Sequence, residues 1–99
     1  MARFDVYASP DGRGYLLDVQ ADLLDSLNTR VVVPLMPVGT APSPAKRLNP
    51  VFDIQNERHV MVTQFLSAVP VFILKTPISN LALHDTEIMG ALDILTTGI

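Results

Sequence analysis

The chain has no cysteine. Disulfide staples, thiolate metal sites and a cysteine nucleophile are therefore excluded, and a reducing compartment is the natural setting. Charge is sparse as well: 17% of residues are charged, with seven Lys or Arg against ten Asp or Glu and a formal net charge of −3. Only Lys46 and Arg47 adjoin among the cations, so the concentrated positive surface that nucleic-acid binding uses is missing. No apolar run approaches the roughly 18 residues that a membrane-spanning helix needs. The opening "MARFDVYASP" alternates apolar with polar and reads as a strand rather than a signal peptide. The expectation is a cytoplasmic protein without direct nucleic-acid or membrane binding.

Catalytic groups are few. His59 and His84 are the only imidazoles, and each reads as a structural or surface histidine. No His/Asp/Glu cluster has metal-ligand spacing, so neither a metal nor another cofactor is expected. The serines sit in turns without a nucleophile-elbow pattern, and Gly12 and Gly14 lack the rest of a phosphate loop. A non-enzyme is expected.

What the chain has is aliphatic surplus: 48% of its residues are hydrophobic. Ninety-nine residues make a single domain, 1–99, whose modest core does not use all of that. Some apolar surface is expected to serve self-association, most simply a two-fold homodimer.

The pattern along the chain is mainly β. "RFDVYA" and "YLLDVQ" flank the turn-rich "SPDGRG" and read as a hairpin over residues 3–20. "ADLLDSLNT" connects to a third strand, "RVVVPLM", in which Pro34 suggests an edge or a bulge. "PVGTAPSPA" is a loop. "NPVFDI" and "HVMVTQFL" flank "QNER" as a second hairpin, and "AVPVFIL" reads as a short buried strand. Many short strands at this spacing point to an antiparallel barrel or sandwich.

One helix closes the chain. Asp85 and Glu87 suit its first turn, and Ile88, Leu92, Leu95 and Ile99 fall on one stripe that Met89 broadens. Gly90 in the helix interior predicts close packing there, against a strand or a partner. The ending "TTGI" and the pair Leu23-Leu24 suit recognition or packing alike: the leucines cap the core or face a partner, and Ile99 completes the stripe or is left for a partner.

The pattern F-x-V-Y, then DVQ-x-D-[LI]-[LI]-D, R-x-V-[VI]-P-L, L-x-P-V, S-x-V-P-V, L-x-x-H and a final G-I runs colinearly through the whole chain. In this order the chain resembles the CcdB toxin family. The resemblance implies an SH3-like antiparallel barrel with a small extra sheet and a C-terminal helix. It also implies a homodimeric toxin of a type II toxin–antitoxin module, associated with plasmid maintenance. Such a toxin poisons DNA gyrase through contact of the helix end with the gyrase A subunit, and a CcdA-like antitoxin neutralises it.

Carried over by position, the gyrase-binding residues are Leu23, Leu24, Asp93, Thr96, Thr97, Gly98 and Ile99. Gly98 and Ile99 agree with the family's Phe-Trp-Gly-Ile ending, Thr96 and Thr97 stand in place of its aromatics, and Asp93 replaces an amide. The antitoxin-binding residues implied by the resemblance are Ala8, Ser9, Pro10, Asp11, Gly12, Arg13, Gly14 and Tyr15, with Arg13 facing an acidic peptide. Two alternatives follow. One is a CcdB-like dimer with lost or altered gyrase activity that only binds antitoxin. The other is a fold-related endoribonuclease using Arg30, Thr29 and His59.

Overall fold

The computed structural model describes residues 1–98; Ile99 and the contacts expected of it lie outside the described residues. Seven strands form one antiparallel sheet curled into a nearly closed barrel: β1 (Asp5–Ala8), β2 (Tyr15–Asp18), β3 (Thr29–Pro37), β4 (Val51–Ile54), β5 (Glu57–Met61), β6 (Ser67–Pro70) and β7 (Ser79–Asn80). A single α-helix, α1 (Asp85–Thr97), follows. The strand order is β4-β5-β3-β2-β1-β7, and β6 branches off β3. The expected SH3-like barrel with a C-terminal helix is what the chain forms.

The first hairpin falls where the turn residues place it, with loop 9–14 between β1 and β2 and Val6 opposite Leu17. In the second, Gln55 and Asn56 both take positive φ (53° and 66°), the pairing a two-residue type I′ turn requires. Glu57 and Arg58, expected in that turn, belong instead to β5.

Pro34 is neither at an edge nor in a bulge. β3 pairs with β6 through Thr29–Val32 and with β5 through Leu35–Pro37, and Pro34 lies where the partner changes. Its carbonyl points to that side and accepts from Val62 N at 2.9 Å. The N–H it lacks would face the same gap, so no ladder bond is lost.

The helix and the barrel share one core. Phe4, Val6, Leu17, Val19, Val33, Leu35, Phe52, Ile54, Met61 and Leu81 pack with Ile88 and Ala91 of α1. A smaller cluster of Tyr7, Val32 and Leu74 fills the other face of β1–β3. Two expectations fail. Gly90 does not pack closely against a strand: a Cβ there would meet nothing of the chain within 4 Å. β6 is mostly exposed rather than buried, because only its Val69 turns inward, and Val71–Ile73 leave the strand as a 3-10 turn.

Candidate functional site

Asp22–Leu24 form a 3-10 turn between β2 and β3 that turns its leucines outward. Leu23 is 90% exposed, Leu24 45% and Leu27 48%, so the pair does not cap the core. A set of buried polar groups fixes the turn to the sheet. Gln20 Nε2 donates to Leu24 O at 3.0 Å, and Gln20 Oε1 accepts from Val31 N at 3.0 Å. Asp18 Oδ1 in turn accepts from Gln20 N at 3.0 Å.

Asp18 is fully buried against an equally buried Arg30. Arg30 Nε donates to Asp18 Oδ2 at 2.8 Å, and Nη2 lies 2.6 Å from the same oxygen without the alignment of a second hydrogen bond. Burial pushes the Asp18 carboxyl above its ordinary value, while the Arg30 and Gln20 donors pull it back. Tyr7, whose hydroxyl is buried nearby without a partner among the described residues, is raised by burial and then by Asp5 and Asp18.

Arg3 ties the turn to the helix. Its backbone N–H donates to Asp22 Oδ1 at 2.8 Å, its Nε to Val19 O at 3.2 Å, and its Nη2 to the Met89 sulfur at 3.0 Å. The guanidinium also sits 5.0 Å from the centroid of the Phe4 ring, a cation–π distance. Composition and spacing gave no sign of Arg3, because its partners lie up to 86 positions away. The consequence is a fixed relation between the exposed leucines and α1.

The end of α1 is well built rather than frayed. Gly98 takes φ 76°, the left-handed conformation that closes a helix, and its N–H donates to Asp93 O and Ile94 O at 3.1 Å each. Thr96 Oγ1 donates to Leu92 O at 2.9 Å and Thr97 Oγ1 to Asp93 O at 2.7 Å. These are bonds back to carbonyls one turn earlier, and no basic side chain lies in the last turn. Asp93, Thr96, Thr97 and Gly98 are all exposed.

The loop expected to meet antitoxin forms one wall of an open cleft of about 880 Å³. Ala8, Ser9 and Asp11–Tyr15 line that wall; Pro34, Met36 and Pro37 of β3, Glu57 and His59 of β5, and Phe65 line the rest. Asp11 shapes the loop: its Oδ1 accepts from Arg13 N and from Ser9 Oγ, both at 2.8 Å. Those donors, the Arg13 N–H foremost, hold the exposed Asp11 carboxyl below its ordinary value. Gly14 takes φ 66°, and a Cβ there would stand 2.3 Å from Leu35 O, so only glycine lets the loop pass β3 this closely. The cleft and the Leu23 turn lie at opposite ends of β2.

Arg30, Thr29 and His59 do not come together. His59 pairs with Pro37 at the far end of β3, about 23 Å along the strand from Arg30 at a strand's usual rise. The buried guanidinium is moreover occupied by Asp18. His84 packs on Phe52 with centroids 5.0 Å apart and its Nδ1 3.2 Å from Glu87 Oε1, a structural placement at the start of α1. Among the described residues no group of His, Asp and Glu is arranged to hold a metal ion, and no helix is long and apolar enough to cross a membrane.

The architecture is thus an SH3-like barrel with exposed leucines on the turn after β2, joined through Arg3 to Met89 of α1, and a cleft at the other end of β2. A family model described as CcdB protein matches residues 3–98. The chain belongs to the CcdB family.

Proposed function

We propose that the protein is the toxin of a type II toxin–antitoxin module and poisons DNA gyrase by protein–protein contact, as a homodimer. The family match over nearly the whole chain supports this. The observation that carries it is the Arg3 linkage, which holds the 90%-exposed Leu23 in a fixed relation to α1. Solvent-facing leucines on a rigid turn cost little in folding and give their apolar area to a partner. The gyrase A subunit is that partner, met by Leu23, Leu24, Asp93, Thr96, Thr97, Gly98 and Ile99.

A CcdA-like antitoxin neutralises the toxin by docking at residues Ala8–Tyr15, where a preformed cleft offers both apolar wall and charged groups. The protein acts in the cytoplasm, where gyrase and its DNA are. The test is gyrase-dependent linearisation of supercoiled plasmid by the purified protein. Tight antitoxin binding without linear DNA would instead favour a relative with altered target, a reading that Thr96 and Thr97 support by standing where the family keeps aromatics. An aromatic anchor of the kind they replace buries about 150–250 Å².

A further inference from the structure

His59 is the least expected member of the cleft. Its side chain is 1% exposed, its ring lies edge-on to Tyr15 with centroids 5.0 Å apart, and it nevertheless lines the cleft. The geometry fixes its tautomer. Nδ1 lies 2.9 Å from Glu57 O, and a carbonyl oxygen can only accept, so Nδ1 carries the proton. Nε2 is left with a bare lone pair. Its nearest charged neighbour is Glu57 Oε1 at 3.9 Å, another acceptor, at a distance too long for a hydrogen bond. Among the described residues nothing donates to Nε2, which leaves it free to accept from a group outside the chain.

The surroundings select the donor. Asp11 and Glu57 bring two carboxylates to the cleft and Arg13 one guanidinium, so the balance there is acidic. Tyr15 and Phe65 add aromatic faces, and Leu16, Pro34 and Met36 add apolar wall. A planar cation with several N–H donors and an aliphatic stem meets all three demands, whereas an anionic side chain meets none.

We propose that this cleft receives an arginine side chain carried on an extended segment of a partner protein, its guanidinium donating to His59 Nε2 and to the Glu57 carboxylate. Leu16, Pro34 and Met36 cover the stem of that side chain, and Tyr15 and Phe65 flank its head. This rests on the antitoxin reading for the identity of the partner and reverses the charge expected of it: the residue in the cleft is basic, and Arg13 lies beside it rather than being its counter-ion. Glu57 on its own strand and Tyr15 from β2 adjoin His59, and Asp11 and Arg13 of loop 9–14 line the same cleft.

The experiment is an NMR titration of the ¹⁵N-labelled full chain with acetyl-Ala-Ala-Arg-Ala-Ala-amide and with the same peptide carrying citrulline or glutamate in place of arginine. The arginine peptide is expected to shift the amides of Tyr15, Glu57 and His59 and to bind at least about tenfold more tightly than the citrulline peptide, which keeps shape and loses charge. Glu57→Gln, at an exposed side chain that folding does not need, weakens arginine binding, and His59→Phe weakens it further. Equal affinity for citrulline, preference for glutamate, or no binding of the arginine peptide would each overturn the proposal. The antitoxin reading is tested separately, by whether antitoxin protects the amides of loop 9–14 from hydrogen exchange, whatever residue it places in the cleft.

Discussion

Replacing Leu23 by alanine separates a surface built for a partner from one built for the fold. Leu23 is 90% exposed on the 3-10 turn, so folding gains almost nothing from its side chain. Truncation there changes stability by no more than about 0.5 kcal/mol, which moves the melting temperature of a domain of this size by about 4 °C at most. In the complex the same isopropyl group leaves water. Its removal then costs about 2 kcal/mol of binding, close to a 30-fold rise in Kd.

Ile88→Ala is the control from the opposite side of the same assembly. Ile88 is fully buried between α1 and the barrel, and its truncation costs about 2–5 kcal/mol of stability through lost burial and the cavity left behind. Calorimetric melting of both variants, with titration of Leu23→Ala into the gyrase A subunit, reads the two effects apart. Melting of Leu23→Ala as low as Ile88→Ala, or an unchanged Kd for gyrase, would refute the assignment of this turn to the target.

Three further outcomes follow from the buried pair, the Gly14 turn and the Asp11 loop. Arg30→Met leaves Asp18 buried without its counter-ion and is expected to cost about 3–5 kcal/mol in urea unfolding, most of it recovered by adding Asp18→Leu; a single-variant loss below about 1 kcal/mol would contradict the pairing. Gly14→Ala forces a Cβ to within 2.3 Å of Leu35 O at a φ of 66°, so stability falls by more than about 1 kcal/mol and the cleft wall shifts, visible as moved amide signals in loop 9–14. Asp11 has a folded-state value below its ordinary one, so its support of the loop is fully present above the unfolded value of about 3.9 and is lost as pH falls through the lower folded value. Carboxyl-carbon NMR checks this, with a midpoint for Asp11 below about 3.9 expected and one at or above it contradicting the Arg13 and Ser9 hydrogen bonds.

Elements whose causes are local were legible in the sequence. Loop 9–14 follows from Ser-Pro-Asp-Gly between two alternating stretches, and α1 follows from its acidic first turn and apolar stripe. The exposure of Leu23 and Leu24 was an open alternative, because a leucine pair in a polar connection reads alike as cap or as contact until the third dimension decides. What stayed hidden depends on pairing between distant segments. Arg30 looked available for chemistry, and only the register of β2 with β3 shows that Asp18 occupies it. The second wall of the cleft is assembled from β3, β5 and Phe65, and no pattern within one segment reports which others lie beside it. Gly90 was ambiguous for a related reason: an interior helical glycine signals either close approach or open space, and no strand of this chain comes close to it.

The central claim is that this chain acts on gyrase through contact and not through catalysis of its own. It is tested most directly by incubating the purified protein with supercoiled plasmid, with and without the gyrase of its own host, and scoring linear DNA after detergent and protease treatment. The account predicts linear DNA only when gyrase and toxin are both present, and its loss when Gly98 and Ile99 are deleted from a chain that still melts normally. An intact plasmid in the complete mixture, or cleavage of RNA without gyrase, would contradict it.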